Sequence, residues 1–342
     1  MSKLSKIINR KSLSPYVIAE IGAKYGDIHL IKKMILNLKK LKVDAIKFQT
    51  FKAINLVDHK SFFYPNNKKV NQYKFFLKNE LSNNDHNQII NLCKKLKIDW
   101  FSTPANFEDI DYLKKFNPIA YKIGSDDLTN LPLIEYAAKT KKPIIISTGM
   151  STMKEIKMAV RTIEKTKNKN IFILHCISDY PSTEENANLN IIKTLKKKFD
   201  YPIGLSDHTN NDLTSIIATS MGAKIIEKHV MPNNVKNWSD AESSLSLKDF
   251  GKMVHKLSKI KYIFGSSVRK VFKNELKWKM KANKSLYLLK DLKKGELILK
   301  NNILIRRPAG KTQPSDYSKF INKKVKKNIS KGTNLNFSLI NG

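Results

Sequence analysis

Short apolar runs alternate with amphipathic stretches along most of the chain. Eight runs of strand length are found at 16–22, 45–51, 98–104, 119–125, 143–149, 170–176, 202–208 and 224–230. They are rich in β-branched residues and apolar throughout, which is typical of parallel strands buried on both faces. Helical spacing of apolar residues follows each run, at 28–42, 84–97, 107–116, 131–140, 152–166, 188–199, 211–222 and 246–265. Eight strand–helix units predict a (β/α)8 barrel, an α/β fold of about 250 residues.

One segment inside this pattern and one after it differ from the rest. The polar, aromatic stretch up to about residue 80 is too irregular for one element, so we expect a long loop there. From residue 284 onward, short alternating runs surround a KKGE turn and an RRPAG segment, which indicates a small β-rich domain. We therefore expect a catalytic barrel over 1–265, a charged linker over 266–283 and a β-rich domain over 284–342.

The charge is strongly positive. The 342 residues contain 64 Lys and Arg against 29 Asp and Glu, a formal net charge of +35. Such a balance can indicate binding to nucleic acid. Here the lysines are dispersed as doublets on helices, and no nucleic-acid-binding motif accompanies them, so no nucleic acid partner is expected. The positive field would still attract small anionic substrates.

Composition also bears on the compartment. No apolar run approaches the roughly 18–20 residues that span a bilayer, and the first residues lack the apolar core of a signal peptide. Cys93 and Cys176 form neither a disulfide framework nor a CxxC pair. These features predict a cytoplasmic protein without membrane association.

Polar side chains recur at the carboxyl end of every predicted strand. They are Glu20, Lys47, Gln49, Ser102, Thr103, Lys122, Ser125, Ser147, Thr148, His175, Ser206, Asp207, His208, Glu227, Lys228 and His229. An unpaired charge is costly to bury, so apolar strands do not acquire this pattern by accident. In (β/α)8 barrels the active site lies at this end, and the pattern therefore predicts a catalytic mouth.

Two histidines in this set suggest a metal site. His208 and His229 end neighbouring strands and could share Mn²⁺, Fe²⁺, Zn²⁺ or Mg²⁺, although a histidine at a strand end is more often a hydrogen-bonding residue. The role of His175 stays open between catalysis and structure. The remaining histidines, His29, His59, His86 and His255, are interpreted as surface residues.

Two lysines in the set suggest an anion site. A lysine inside a barrel is either a Schiff-base nucleophile or a clamp for an anion. Lys47 and Lys122 are accompanied by several hydroxyls, which favours a clamp for phosphate or carboxylate; these hydroxyls belong to Thr103, Ser125, Ser147 and Ser206. No Walker loop or GxGxxG motif is present, so neither ATP nor NAD is indicated.

The ordered motifs YVIAEIG, DAIKFQTF, FSTP, AYKIGS, LHCISDYPS, IGLSDHT and GAKIIEKH resemble those of the sialic acid synthase family. The tail KSLYLLKDLKKGELILKNNILIRRPAG resembles that family's C-terminal antifreeze-like (SAF) domain. The resemblance covers about residues 14–340. It implies condensation of phosphoenolpyruvate with an N-acetylated amino sugar, such as N-acetylmannosamine or a 2,4-diacetamido hexose. The product would be a nine-carbon 2-keto acid, with phosphate released by C–O cleavage.

The resemblance also implies roles for individual residues. His208 and His229 would hold Mn²⁺ or Mg²⁺, and Glu20 would handle the proton of water or of a hydroxyl group. Phosphoenolpyruvate would be cradled by Lys47, Lys122, Ser125, Thr103, Ser147 and Ser206. The sugar site would be lined by Gln49, Tyr180, Glu227 and Asp240. Arg307 would enter the active site of a partner subunit, which implies a domain-swapped homodimer.

Departures from the family pattern affect the sugar side. Lys24 and Tyr25 replace an Asn-His pair, Asp127 replaces a glutamate, and Ser178-Asp179 stands before Tyr-Pro where the family usually has Asn or Ser-Asn. The identity of the amino sugar is therefore open. Two alternatives remain. One is another phosphoenolpyruvate-dependent 3-deoxy-ulosonate synthase, against which the C-terminal segment argues. The other is a basic polyanion-binding protein without turnover.

Overall fold

Eight parallel strands close into a barrel in the computed structural model, which describes residues 4, 14–23, 26–63, 69–235, 238 and 240–341. The strands are β1 (Tyr16–Gly22), β2 (Ala45–Thr50), β3 (Asp99–Pro104), β4 (Tyr121–Ile123), β5 (Ile144–Ser147), β6 (Ile171–Cys176), β7 (Ile203–Asp207) and β8 (Ile225–Met231). Each strand pairs with its successor, and β8 returns to pair with β1. The predicted fold is confirmed.

Barrel closure brings the two ends of the strand order together. In the register, Glu20 of β1 lies opposite Lys47 of β2 on one side and opposite His229 of β8 on the other. A short additional strand, Ser244–Ser246, continues the sheet beside β8, with Ser244 opposite His229. The polar ends of the first, second and last strands are thus direct neighbours.

A helix follows each barrel strand. The helices are α1 (Ile28–Lys40), α2 (Asn83–Leu96), α3 (Phe107–Lys114), α4 (Leu131–Lys139), α5 (Met153–Lys165), α6 (Asn190–Lys198), α7 (Leu213–Ser220) and α8 (Leu247–Phe264). Their ends agree with the predicted ends to within one or two residues, because local capping fixes them: Ser82 with Asp85 and Thr152 with Glu155 form capping boxes. Along the described residues, no helix combines the length and apolar character needed to cross a membrane.

Alternation along the strands divides the apolar side chains into two layers. Side chains such as Ile46, Ile146 and Leu205 belong to the large cluster that packs against the helices. The intervening positions, such as Tyr16 and Phe172, belong to a smaller cluster in the barrel interior. Each fully buried side chain of this size contributes roughly 1.5–3 kcal/mol, so both layers stabilise the scaffold that carries the strand ends.

The expectation of a long loop up to residue 80 is wrong. Helices lie at Ala53–Leu56 and Gln72–Asn79, and Phe62–Phe63 pairs antiparallel with Val70–Asn71. Aromatic edge-to-face contacts join the rings of Phe51, Phe63, Phe75 and Phe76. These elements are too short to show a period in the sequence, since aromatic packing rather than a repeating apolar face holds them together.

The second unit begins after Gly265. It contains a helix at Lys273–Ala282 and an antiparallel pair, Ser285–Leu288 with Ile303–Arg306. Isolated bridges and a separate apolar core, which includes Leu286, Ile298 and Phe320, complete this β-rich unit. The predicted linker segment 266–283 therefore contains a regular helix.

One histidine interpreted as a surface residue is buried. His86 is 4% exposed, with Nδ1 3.1 Å from the carbonyl oxygen of Ser82 and Nε2 3.0 Å from Oγ1 of Thr50. Burial lowers the pKa of His86 below its ordinary value. The sequence interpretation was wrong because His86 lies on the buried side of α2. The polar residues around it in the sequence obscure the apolar periodicity that would have identified this side.

The His86 environment predicts a pH-dependent stability. Below about pH 6.5 the unfolded chain protonates this imidazole while the folded chain resists protonation, so stability falls as the pH falls. Between about pH 7.5 and 5.5, the wild type should lose up to about 1 kcal/mol more unfolding free energy than His86→Gln. Urea unfolding at both pH values measures the difference, with the exposed His255→Gln as the control. Equal losses in the wild type and His86→Gln would contradict the prediction.

Candidate active site

The barrel interior changes from apolar to polar towards the carboxyl ends of the strands. The side chains of Ile18, Ala45 and Ile225 belong to the apolar interior. The residues two positions later on the same strands are charged: Glu20, Lys47 and Glu227, respectively. Because successive side chains alternate in a strand, positions two apart share a face. The same face presents Lys122, Ser147, Cys176 and Ser206. The strand-end residues therefore form a buried polar layer above an apolar one.

Two lysines and two glutamates form the centre of this layer. Nζ of Lys47 lies 2.8 Å from Oε2 of Glu20 and 3.5 Å from Oε1 of Glu227. Nζ of Lys122 lies 3.7 Å from the same Oε1 of Glu227. All four side chains are buried. Charges held this far from water require close partners, and the alternating arrangement supplies them.

Hydroxyl groups extend the charged cluster. Lys122 donates to Oγ of Ser147 at 2.6 Å, and Lys47 donates to Oγ1 of Thr103 at 3.2 Å. Ser206 donates to Oε1 of Glu227 at 3.2 Å. The predicted anion-clamp residues of strands β2 to β5 and β7 are thus brought to one place. An incoming anion would meet ammonium and hydroxyl donors together.

The two carboxyl groups have different proton affinities. Burial, with the Glu227 charge adding to it, raises the pKa of Glu20 to about 7, although Lys47 opposes the shift. Glu227 is buried too, yet the charges of Lys122 and Lys47 hold its pKa below the usual value. Within the described residues, Oε1 of Glu20 and Oε2 of Glu227 have no hydrogen-bond partner. Glu20 is therefore the carboxyl group suited to exchange a proton near neutral pH.

The predicted metal histidines lie side by side. Their ring centroids are 5.4 Å apart. Nδ1 of His208 lies 2.8 Å from the carbonyl oxygen of Ile177, which can only accept, so Nδ1 carries a proton and the neutral form of the ring has its lone pair on Nε2. Nδ1 of His229 faces Oδ2 of Asp240 at 3.5 Å. A carbonyl or carboxylate behind Nδ1 is the usual support of a histidine that binds metal through Nε2.

The histidine pair fits one divalent cation. With metal–nitrogen distances of about 2.1 Å, two imidazoles sharing an ion have centroids roughly 4.5–5.5 Å apart. Burial, with the charges of His208 and Lys47, lowers the pKa of His229 well below its ordinary value, which favours the neutral ligand form. No group of three or more His, Cys, Asp or Glu side chains in the described ranges could hold an ion together. An ion here would thus keep positions open for water or substrate.

The side chains of Ser125 and Ser178 fill the space beside Gly149, just beyond β5, where any other residue would place its Cβ. A Cβ added there would lie 2.2 Å from Oγ of Ser178 and 2.8 Å from Oγ of Ser125. The backbone N–H of Gly149 donates to Oγ of Ser125 at 3.0 Å. This contact fixes the predicted site residue Ser125 beside the loop that follows β6.

The predicted sugar-site residues surround the histidines incompletely. The ring of Tyr180, 55% exposed, lies 4.3 Å from that of His208, and Asp240 reaches His229. Gln49 is half-buried and opposite Thr103 in the register. Arg307 is exposed in the second unit. Lys24 and Tyr25, whose substitution bears on the sugar, lie outside the described residues.

Strand parity removes four of the strand-end residues from the mouth. Ser102, His175, Asp207 and Lys228 have the parity of the outer layer and contact groups outside the barrel interior; Nε2 of His175, for example, lies 2.8 Å from the carbonyl oxygen of Ala187. For His175 the structural role is therefore the one observed. Cys176, which the sequence interpretation did not place in the site, has its Sγ 3.8 Å from Nδ1 of His208. Its position two residues beyond Leu174 was the available signal.

Comparison with family models covers both units. The model described as the NeuB family matches residues 34–269, and the model described as the SAF domain matches residues 283–340. The chain belongs to the NeuB family. The predicted resemblance and the predicted SAF domain are thereby confirmed.

Several relatives of this chain are named as synthases. The N,N'-diacetyllegionaminic acid synthase of Legionella pneumophila is 33% identical over 334 residues, covering 95% of this chain and 94% of the relative. A pseudaminic acid synthase of Campylobacter jejuni is 34% identical over 323 residues, with 93% and 94% covered. The crystal structure of N-acetylneuraminic acid synthetase from Leptospira borgpetersenii is 30% identical with a TM-score of 0.70, covering 78% of this chain and 91% of that one. The prediction that the chain is a synthase enzyme is confirmed.

Proposed function

We propose that this protein condenses phosphoenolpyruvate with an N-acetylated amino sugar to a nine-carbon 2-keto acid and releases phosphate. The observation that carries the proposal is the buried set of Lys47, Lys122, Glu20 and Glu227 together with two neighbouring imidazoles. This set offers an anion clamp, a proton carrier and a cation site in one mouth. The relatives' names, legionaminic, pseudaminic and N-acetylneuraminic acid synthases, support the same reaction class.

Phosphoenolpyruvate would bind where the ammonium groups meet the hydroxyls. The ammonium groups of Lys47 and Lys122 are both close to Glu227, so both could contact a bound anion while remaining near this carboxylate. Ser147 and Thr103 already accept from these lysines and could donate their own protons to substrate oxygens. Donors arranged in advance stabilise the charge that grows on the departing phosphate.

Glu20 would carry the proton of the reaction. Carbon 3 of phosphoenolpyruvate forms a bond to the aldehyde carbon of the sugar, and water adds to carbon 2. The bond between carbon 2 and the bridging oxygen then breaks, leaving a 2-keto acid and inorganic phosphate. A carboxyl group with a pKa of about 7 can take a proton from this water and give it to the aldehyde oxygen, which becomes a hydroxyl group. The proton of the hydroxyl formed at carbon 2 leaves as the ketone forms and the phosphate departs.

His208 and His229 would hold the divalent cation, Mn²⁺ or Mg²⁺. When bound, such a cation would supply a Lewis acid that polarises the sugar aldehyde. Tyr180 and Asp240, next to these histidines, would contact the sugar, together with Gln49 of β2. The acceptor class includes N-acetylmannosamine, its 6-phosphate and di-N-acetylated 6-deoxy hexoses.

Phosphate release tests the proposed function. Purified protein is incubated with phosphoenolpyruvate, Mn²⁺ and each sugar of that panel, with and without EDTA. Release that requires one sugar and the cation supports the proposal and names the acceptor. Release with a phosphorylated aldose alone would favour another 3-deoxy-ulosonate synthase, an alternative that the SAF match makes less attractive. DNA binding with steep salt dependence and no release with any sugar would favour the polyanion-binding alternative.

We also propose that the active form is a homodimer. Large apolar side chains are exposed near the end of α8 and along the helix Lys273–Ala282: Tyr262, Ile263, Phe264, Phe272, Trp278 and Met280 are 53–80% exposed. Soluble monomers rarely present so many large apolar groups, and a second copy of the chain would cover them. In that dimer Arg307 would reach the active site of the partner.

Arg307→Ala is expected to lower turnover, because the guanidinium would bind substrate anion in the partner's mouth. Mixing Arg307→Ala with Glu20→Gln after joint refolding should restore about a quarter of wild-type activity, since half of the dimers are mixed and each has one intact site. The exposed Lys311→Ala serves as the control. No recovery in the mixture would contradict action in the partner subunit.

A further inference from the structure

A second buried ion pair lies on the outer face of the barrel wall. Nζ of Lys228 is 3.0 Å from Oδ2 of Asp207, and their side chains are 0% and 2% exposed. These residues face each other in the register of β7 and β8. Among the described residues, the other buried lysine–carboxylate pairs belong to the interior cluster of Glu20 and Glu227.

Every polar atom of this pair is satisfied. Oδ2 of Asp207 also accepts from Thr214 and Ser215 of α7, both at 2.6 Å. Oδ1 accepts from the backbone N–H of Thr209 at 3.0 Å and from its hydroxyl at 2.8 Å. Nζ of Lys228 donates to the carbonyl oxygen of Thr209 at 2.5 Å and to its Oγ1 at 3.1 Å.

The network joins residues that are next to the two histidines in the chain. Asp207 precedes His208, and Thr209 follows it. The Asp207 carboxylate accepts a hydrogen bond from the backbone N–H of Thr209, so the residues on both sides of His208 are linked. Lys228 holds both flanking residues and is itself the residue before His229. The positions of His208 and His229 are therefore fixed by one set of contacts across the wall. At the equivalent outer positions, β4 and β5 have the apolar Ile123 and Ile146.

We propose that the Asp207–Lys228 pair is a positioning device that keeps His208 and His229 at the spacing for one shared divalent cation. A buried ion pair adds little to the free energy of unfolding, since its replacement by apolar side chains of similar volume is often neutral or stabilising. The directional contacts of the pair instead restrict the strand ends to one geometry. The inference rests on the cation site of the proposed function. Loss of contacts behind metal ligands typically lowers metal affinity about 10–100-fold.

The test compares variants that separate positioning from general stability. Asp207→Asn with Lys228→Met removes both charges at similar volume, so no unpaired charge is left buried. Asp207→Asn alone is the second variant, because its amide keeps partners in Thr209, Thr214 and Ser215. The control, Tyr16→Phe, deletes a 2.9 Å hydrogen bond to Asp99 at the opposite end of the barrel.

Calorimetry measures Mn²⁺ and phosphoenolpyruvate affinity separately, below the unfolding temperature of each folded variant. We expect Mn²⁺ affinity to fall about 10–100-fold in the double and single variants, with phosphoenolpyruvate affinity unchanged and Tyr16→Phe like the wild type. Wild-type Mn²⁺ affinity in either variant, or an equal loss of both affinities, would overturn the positioning role. Wild-type protein that binds no Mn²⁺ would instead overturn the cation site itself.

Discussion

Glu20→Gln should reduce turnover by about 10²–10⁴-fold while the barrel remains folded. The amide cannot exchange the proton that a carboxyl group with a pKa of about 7 exchanges. The affinity for phosphoenolpyruvate should not fall, since the change removes a negative charge 2.8 Å from Nζ of Lys47. Steady-state kinetics should therefore show a lower kcat with an equal or lower KM for phosphoenolpyruvate.

A matched control is Glu135→Gln, which alters an exposed glutamate paired with Lys139 on α4. It should retain wild-type kinetics, because surface pairs of this kind contribute little. Wild-type kcat in Glu20→Gln would contradict the assigned proton role. A pure rise in KM would instead place Glu20 in substrate binding.

His208→Ala and His229→Ala should each lower turnover by about 10³-fold or more. Each imidazole supplies one of two side-chain ligands, and the described ranges contain no group of three or more His, Cys, Asp or Glu side chains that could hold an ion together. Excess Mn²⁺ should restore little activity. Paramagnetic resonance of Mn²⁺ titrated with each variant should show the free-ion signal at concentrations where the wild type removes it.

His255→Ala is the control for these variants, because His255 is exposed on α8. It should bind Mn²⁺ and turn over like the wild type. Full activity in both His208→Ala and His229→Ala would contradict the metal assignment. Both variants should keep the wild-type circular dichroism spectrum, since these side chains lie above rather than within the apolar interior layer.

Most of the barrel could be predicted because its elements are periodic and locally capped. Strand runs such as YVIAEIG are apolar on both faces, and helix starts such as Thr152 carry a capping box. The segment 53–79 escaped prediction because its elements have between two and eight residues and depend on aromatic contacts such as Phe51 with Phe76. Such contacts arise only in the folded chain.

The sequence identified the strand-end residues of the candidate site as a group. It did not separate those that face the barrel interior from those that face the outer side of the wall. Every strand end was identified as polar, but adjacent residues such as Asp207 and His208 face opposite sides of the wall. Counting positions by two from the interior residue Ile225 gives Glu227 and His229 and excludes Lys228. The same count from the interior residue Leu174 finds Cys176. Burial of His86 could not be read in this way, because it depends on the packing of α2 against Thr50.

The proposed reaction is tested by following the bridging oxygen of phosphoenolpyruvate. Protein, Mn²⁺ and the acceptor found in the phosphate-release panel are incubated with phosphoenolpyruvate that carries ¹⁸O at the bridging position, and the products are analysed by mass spectrometry. We expect labelled phosphate together with an acid that contains all carbons of the sugar and of the enolpyruvyl group. Unlabelled phosphate with free pyruvate, or no joined product, would contradict it.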